Sequence, residues 1–177
     1  MDQTELGLRY RFAQGVVREA GQIALERYRR RDSLTIERKG RQDFVSEADK
    51  ACEEFVLGAL LKAFPEDAFL GEEGGAQNAD GEATWIIDPI DGTHNFIRGV
   101  PIFGTLLAVE VAGEVQVGVM SAPAMGERWY AARGRGSWAV ARDGLRRRLR
   151  VSSVDALEDA QLVHGSRRDD VRSGLMP

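Results

Sequence analysis

Two carboxylates at the end of an apolar stretch are the residues of this chain best suited to chemistry. Asp88 and Asp91 follow the apolar run 85–87 and are separated by only two residues, one of them Pro89. Proline fixes φ and bends the chain, and Gly92 permits a turn that a side chain would obstruct. Both carboxylates can therefore face one cation.

Thr93 follows these acids in the position expected for the N-cap of a helix. The free N–H groups at a helix start, at the positive end of the helix dipole, can hold a phosphate oxygen. The predicted phosphate-binding residues are Gly92, Thr93 and His94. For His94, substrate contact and simple exposure remain equally open, and it is not interpreted as a catalytic base. A cation beside a phosphate site indicates phosphoryl chemistry.

The kind of metal follows from which ligands the chain lacks. Cys52 is the only cysteine among the 177 residues, and there are two histidines, so neither a thiolate cluster nor a histidine site can form. Oxygen ligands favour Mg²⁺, with Mn²⁺ as the alternative. Cys52 lies on an apolar helical stripe and is interpreted as a small buried hydrophobe rather than a reactive thiol.

Composition and charge narrow the class of protein. The net charge of −4 gives no overall electrostatic reason to bind nucleic acid. No apolar run approaches the roughly 20 residues that span a bilayer, so no membrane partner is expected. The acidic start at residues 1–5 lacks the basic and apolar parts of a secretory signal. We therefore expect a cytoplasmic protein.

Hydrophobic periodicity predicts two helices followed by strands. Apolar residues at spacings of three and four indicate one helix from Glu5 to about Arg30 and a second that is capped at residues 46–49 and closed by Pro65. A short strand is predicted at 35–39. Further extended runs are predicted at 68–71, 84–87, 102–111, 115–122, 128–132 and 137–140. This order predicts an α+β fold, a layered sandwich of two helices packed on a mainly antiparallel sheet.

Two other charged stretches each allow two interpretations. Glu72 and Glu73 end a short apolar strand; alone they would be interpreted as an exposed acidic turn, but together with the Asp pair they predict a second source of metal ligands. The arginine-rich stretch 142–150 is interpreted mainly as a solvated hairpin and connector. Contact of these arginines with an anionic ligand or partner is the alternative.

These motifs together resemble the inositol monophosphatase family of metal-dependent, lithium-sensitive phosphatases. The resemblance covers residues 5 to 170. Its anchors are Gly71-Glu72-Glu73, the run from Asp88 to Thr93 with Asn95-Phe96, Gly99-Val100-Pro101, and the upstream Asp43 and Asp49. Residues 103–107 and 122–129 look particularly like the histidinol-phosphate phosphatase branch.

The resemblance implies roles for the acidic residues. Glu72, Asp88 and the carbonyl of Ile90 would bind one Mg²⁺, with Asp88 bridging to a second ion that Asp91 also holds. Two such ions about 3.5–4 Å apart can stabilise both the entering and the leaving oxygen of an in-line displacement.

The resemblance also implies which residues act on the attacking water. Thr93, helped by Asp49 and Glu72, would orient and deprotonate it. For Asp49 a helix cap is the alternative, and the two roles are compatible. Lys39 and Asp43 match a supporting loop that approaches the metal site in the family.

One part of the family pattern has no counterpart in this sequence. The family continues through a further α/β domain with a Trp-Asp motif that completes the second metal site, and no Trp-Asp pair occurs here. The predicted domains are therefore an N-terminal α+β metal-binding phosphatase domain at 1–152 and, at 153–177, the start of a truncated α/β domain whose first strand includes Leu162-Val163. The sheet face that would support this second domain is expected to be exposed.

The family resemblance and the missing Trp-Asp motif lead to two hypotheses about function. The first is a Mg²⁺-dependent phosphate monoester hydrolase acting on a small phosphorylated metabolite, either histidinol phosphate or inositol monophosphate. The second is a truncated non-catalytic remnant that acts only by pairing with another chain. The sequence leaves a homodimer open.

Overall fold

The computed structural model describes residues 1–38, 44–78 and 81–163. Its helices are α1 (Gln3–Arg29), α2 (Glu47–Ala63) and α3 (Thr93–Arg98). Its strands are β1 (Ile36–Arg38), β2 (Phe44–Ser46), β3 (Ala68–Gly71), β4 (Gly75–Gln77), β5 (Ala83–Asp91), β6 (Gly104–Val111), β7 (Glu114–Ala122), β8 (Glu127–Ala132), β9 (Gly136–Val140) and β10 (Arg146–Leu149). Short 3-10 turns cover Arg31–Ser33 and Leu157–Asp159.

Local sequence explains where the two long helices begin. Asp2 caps α1 by accepting from the N–H groups of Thr4 and Glu5, and the Glu5 side chain accepts from the N–H of Asp2 in return. Ser46 and Asp49 form the same reciprocal capping box at the start of α2. Each box satisfies N–H groups that a helix start otherwise leaves unpaired. The two predicted helices are confirmed within a few residues at their ends.

An eight-stranded sheet forms the centre of the fold, in the order β10-β9-β8-β7-β6-β5-β3-β4. Neighbouring strands in this sheet are antiparallel, except that β3 and β5 are parallel. Strands β1 and β2 form a separate antiparallel pair. Helix α1 contacts β6, β7 and β8, while α2 contacts β5. The predicted α+β fold with a mainly antiparallel sheet is confirmed.

Several predicted strand boundaries were wrong or incomplete. Strand β5 does not end at Ile87 but continues through both aspartates to Asp91, since a bulge accommodates Pro89 within the strand. Strands β2 and β4, each three residues long, were not predicted. The arginine-rich stretch contributes β10, which pairs with β9 as a hairpin. The opening strand expected at 160–165 is not formed at 160–163, and its last two residues lie outside the described part of the chain.

Two apolar clusters hold these layers together. The larger one lies between the helices and the sheet and includes Val17, Val56, Trp85 and Leu107. The smaller one packs α3 against α1 and α2; its buried members are Ala24, Ala48, Cys52, Ile90, Phe96 and Phe103. The second cluster fixes the position of the Asp motif.

Cys52 is a buried member of that smaller cluster, as predicted. Its side chain is fully enclosed, and its Sγ donates to the carbonyl oxygen of Ala20 at 3.5 Å. Burial raises the pKa of the Cys52 thiol to about 12, so the reactive thiolate is disfavoured. Among the described residues, no helix is both long enough and apolar enough to cross a bilayer.

Candidate metal and phosphate site

The parallel pairing of β3 with β5 brings Glu72 to Asp88. Gly71 is the register partner of Ile87, so the next residue on each chain is Glu72 and Asp88. Parallel strands end at the same edge of a sheet, and acids that follow neighbouring strands are therefore adjacent there. The predicted encounter of the two acidic motifs is present in the structure.

A bulge in β5 turns Asp91 to the same side of the sheet as Asp88. Residues three apart in a regular strand point to opposite faces. Here Asp88 pairs with Leu106 and Asp91 pairs with Gly104, so three steps along β5 correspond to two along β6. The extra residue restores a common face for both aspartates. Thr105 stabilises the bulge, since its buried hydroxyl donates to the carbonyl of Pro89 at 2.9 Å.

Asp88 is an electrostatically strained carboxylate. Its Oδ1 is buried and has no hydrogen-bond partner. Burial, followed by the charge of Glu72 and a hydrogen bond with that side chain, raises the pKa of Asp88 to about 7, with smaller contributions from Asp91 and Asp49. Because no positive charge compensates the two carboxylates, the pair favours sharing one proton over ionising both groups.

This donor set fits a hard divalent cation. In the part of the chain that the structure describes, no three or more histidine, cysteine, aspartate or glutamate side chains form a ready-made metal cage. The site instead offers the Glu72 and Asp88 pair, the unpartnered Asp88 oxygen, and the Ile90 carbonyl. That carbonyl accepts from the Thr93 hydroxyl at 3.0 Å and retains a second lone pair. All of these donors are oxygens, as Mg²⁺ prefers.

The start of α3 differs by one residue from the prediction. Gly92, not Thr93, is the N-cap, and Thr93 is the first helical residue. Gly92 has a φ of 88°, and a Cβ there would lie 3.0 Å from the carbonyl oxygen of Ile102, so glycine satisfies both the conformation and the space. The N–H groups of Asn95 and Phe96 donate to the Gly92 carbonyl at 2.8 and 3.0 Å. The helix's own hydrogen bonding therefore begins after Thr93 and the half-buried His94.

Three contacts hold α3 in place. The Tyr28 hydroxyl donates to the carbonyl of Gly99 at 2.6 Å, at the C-terminal end of α3. The Asn95 amide donates to the carbonyl of Ile102 at 2.8 Å. Phe96 is fully buried and makes an edge contact with Phe103 at a centroid distance of 5.0 Å. This short helix is thus fixed by tertiary contacts rather than by its own length.

Asp49 is observed in its capping role. Its Oδ2 accepts from the N–H of Ser46 at 2.9 Å and from the Ser46 hydroxyl at 2.6 Å. Burial raises the pKa of Asp49, which the two hydrogen bonds from Ser46 oppose. Asp49 also contributes to the raised pKa of Asp88, so it lies near the acidic pair. Its part in activating water stays a prediction. Lys39 and Asp43 lie outside the described residues.

Sequence reasoning missed two residues that support the site. Glu53 is buried on α2, one turn after Asp49, and accepts hydrogen bonds from the turn that carries Glu72. Its signal was the four-residue spacing from Asp49, which places both acids on the apolar face of one helix. Thr105 gave no comparable signal, because a threonine within an apolar strand is common.

Comparison with known proteins agrees with this geometry. The sequence model of the inositol monophosphatase family matches residues 7–175. A histidinol-phosphatase of Mycobacterium tuberculosis is 44% identical over 164 residues, which cover 86% of this chain and 63% of that protein. The Nus factor SuhB of Pseudomonas aeruginosa is 41% identical over 84% of this chain and 54% of that protein.

A solved structure supports the same relationship. The IMPase of Thermotoga maritima superposes with a TM-score of 0.73 at 36% sequence identity, over 85% of this chain and 56% of that one. The chain thus spans 54–63% of the length of the two curated relatives named above. The acidic motifs, the fold that joins them and these similarities lead to one conclusion: the chain belongs to the inositol monophosphatase family.

Proposed function

We propose that this chain forms the metal-binding part of a Mg²⁺-dependent phosphate monoester hydrolase. The observation that carries the proposal is the buried, unpartnered Oδ1 of Asp88 beside Glu72. A buried polar atom without a partner is costly, and a divalent cation would satisfy it and relieve the repulsion between the two acids. The named phosphatases among its relatives support the same reaction class.

The proposed ligands are those that the family resemblance implies. Glu72, Asp88 and the Ile90 carbonyl would hold one ion, and Asp91 with Asp88 would hold another. The chemistry that Mg²⁺ supplies when bound is polarisation of the phosphoryl group and neutralisation of the charge that develops on it. Mn²⁺, which also accepts oxygen ligands, would substitute.

The proposed phosphate and water contacts come from the start of α3. Backbone N–H groups at Gly92, Thr93 and His94 would orient the phosphate, while the Thr93 hydroxyl, now bonded to the Ile90 carbonyl, would turn to the attacking water. Thr93, helped by Glu72 and Asp49, would orient and deprotonate that water. Fixed positions for these groups reduce the entropy cost of reaching the transition state.

Histidinol phosphate and inositol monophosphate are the proposed substrates. One relative is named a histidinol-phosphatase and another an inositol-1-monophosphatase, so the names of relatives support both. The test is phosphate release from each ester, with and without Mg²⁺, by wild type and Asp88→Asn. Asp155→Asn, at an exposed aspartate, is the control. Release that neither Mg²⁺ removal nor Asp88→Asn reduces would overturn the proposal.

A second candidate function rests on the sheet face opposite α1 and α2. A groove of about 550 Å³ there is lined mostly by apolar side chains, including Ile86, Leu106, Met120, Trp129 and Leu149. Large open apolar surfaces are typical of interfaces. A non-catalytic chain that acts by pairing with another polypeptide, including a second copy of itself, would use this face. Sedimentation at several concentrations tests this: a monomer throughout contradicts self-pairing.

The division into two domains is also a proposal, and the distribution of secondary structure along the chain supports it. Residues 1–152 contain all of the sheet and helices, whereas the stretch from 153 onward adds only a short 3-10 turn among the described residues. Leu157, Leu162 and Val163 are each more than 80% exposed. We propose that 153–177 belongs to a second α/β unit.

A further inference from the structure

Glu53 is a buried carboxylate that the proposed reaction does not use. It lies on α2, is 5% exposed, and its Oε2 accepts from the N–H of Glu73 at 2.9 Å. Its Oε1 accepts from the N–H of Gly74 at 2.5 Å. These two N–H groups belong to the turn between β3 and β4, which also carries Glu72. One side chain from α2 therefore binds this acidic turn at two points.

The glycines that flank the two glutamates are explained by the same carboxylate. A Cβ at Gly74 would lie 2.8 Å from Oε1 of Glu53, and a Cβ at Gly71 would lie closer still to that carboxylate. Neither glycine has a positive φ. A side chain at either glycine would therefore have to displace the Glu53 carboxylate, although neither backbone conformation requires a glycine. The two glycines of the Gly-Glu-Glu-Gly pattern thus lie where the Glu53 side chain of α2 approaches the turn closely.

The acidic turn needs such an anchor. Glu72 faces Asp88 across the ends of β3 and β5, and the two carboxylates repel each other when both are ionised. The residues after Gly71 lie outside the β3–β5 pairing and lack its hydrogen bonds. Hydrogen bonds from neighbouring N–H groups to a charged acceptor are stronger than neutral ones.

We propose that Glu53 is a positioning residue: it holds the 72–74 turn so that Glu72 stays against Asp88 and the pair can accept a divalent cation. The proposal rests on the metal site of the proposed function. Residues that orient metal ligands typically change metal affinity by about 10- to 100-fold when removed. We expect an effect of that size on metal binding.

The first experiment compares Glu53→Ala and Glu53→Gln with Glu54→Gln, a control at the next position, which is exposed. NMR hydrogen exchange at the amides of Glu73 and Gly74 reports the anchor, and calorimetry with Mn²⁺ reports the site. We expect faster exchange at both amides and roughly 10- to 100-fold weaker Mn²⁺ binding in Glu53→Ala. Glu53→Gln, which keeps one acceptor oxygen, should fall between Glu53→Ala and wild type, and Glu54→Gln should match wild type.

A second variant tests the contact from the other side and remains informative if Glu53→Ala does not fold. Gly74→Ala places a methyl group against Glu53 and should weaken Mn²⁺ binding in the wild-type background. In a Glu53→Ala background the same change should add little, because the obstructing carboxylate is gone. Such non-additivity is the signature of a direct contact.

The outcomes separate this proposal from the proposed function. Unchanged Mn²⁺ affinity in both Glu53→Gln and Gly74→Ala, with wild type binding Mn²⁺, would overturn the positioning role alone. Additive effects of Glu53→Ala and Gly74→Ala would also overturn it. Failure of wild type itself to bind Mn²⁺ would overturn the metal site and the positioning role together.

Discussion

Asp67 immediately precedes β3 and Asp88 lies within β5, but the surroundings of these two acids are opposite. Asp67 is 7% exposed and accepts hydrogen bonds from Nε and Nη2 of Arg9, at 2.9 and 2.7 Å. It accepts a third from the Trp85 indole at 2.8 Å. Asp88 has a buried oxygen with no partner and another acid, Glu72, as its neighbour.

The difference separates a structural acid from a binding one. The charge of Asp67 is neutralised within the chain by a bidentate ion pair with Arg9, and the Trp85 indole donates a further hydrogen bond to the same carboxylate. The charge of Asp88 has no positive partner among the described residues. A fold that leaves a carboxylate in this state gives up stability at that point, as functional sites commonly do. Four predictions test this comparison.

The largest expected effect is that of Asp88→Asn on metal binding. Removing the charge should weaken Mn²⁺ binding by about 1000-fold, or roughly 4 kcal/mol, since close opposite charges couple by about 1.5–7 kcal/mol. The metal-free variant should also unfold at a higher denaturant concentration than wild type, because its repulsion with Glu72 is gone. Calorimetry and urea unfolding measure the two effects. A less stable metal-free variant would contradict the description of Asp88 as strained.

Asp67→Ala should lower the stability of the fold and leave Mn²⁺ affinity nearly unchanged, which is the reverse of Asp88→Asn. Arg9 would lose its only carboxylate partner in the described structure, and the Trp85 N–H would lose its acceptor. Breaking a buried pair costs about 3–5 kcal/mol. Urea unfolding should show a loss on that scale, while the Mn²⁺ affinity of the folded protein stays within about twofold of wild type. A large loss of Mn²⁺ affinity in folded Asp67→Ala would remove the contrast between the two acids.

The pH dependence should follow the raised pKa of Asp88. Its pKa of about 7 lies above the usual value of 3.8, so the metal-free native state binds more protons than the unfolded state between those values. The stability of the metal-free chain should therefore fall as pH rises from about 4 to 7. Mn²⁺ must displace the shared proton, so its affinity should rise by up to about tenfold per pH unit in the same range. Affinity independent of pH from 5 to 7 would contradict this assignment.

Thr105→Val should have the smallest effect. It keeps the side-chain volume but removes the donor that satisfies the Pro89 carbonyl at the β5 bulge. A buried hydrogen bond of this kind contributes about 1 kcal/mol. We expect a stability loss of that size and a measurable decrease in Mn²⁺ affinity. Thr84→Val, on the neighbouring strand β5, is the control, and an equal effect in both would show that the bulge contact is unimportant for the site.

Local sequence patterns predicted much of the fold and the main acids. Helices α1 and α2 were predictable because apolar spacing and capping boxes act over a few residues. Asp88 and Asp91 were recognisable because the residues around them are themselves special, with Pro89 between them and Gly92 after them. The extent of β5 was not predictable, because a proline normally ends a central strand and only the bulge against β6 accommodates it.

Supporting residues were harder to identify from the sequence. Glu53 looks like any acid on a helix until the turn between β3 and β4 reaches it. Thr93 was predicted to be the N-cap, but Gly92 takes that position, because its positive φ and the nearby carbonyl of Ile102 both require a glycine. Contacts between distant segments determine both cases, and no local pattern encodes them.

The sequence by itself determined which groups this protein can use: oxygen ligands without thiolate or histidine clusters, a proline-bent pair of aspartates, and a glycine that permits a turn after them. Only the tertiary structure decided that Glu72 meets Asp88, through the parallel pairing of β3 with β5, and that one oxygen of Asp88 is left without a partner. The physical reason is that residue type is a local property, whereas desolvation and charge repulsion depend on which distant segments the fold brings together.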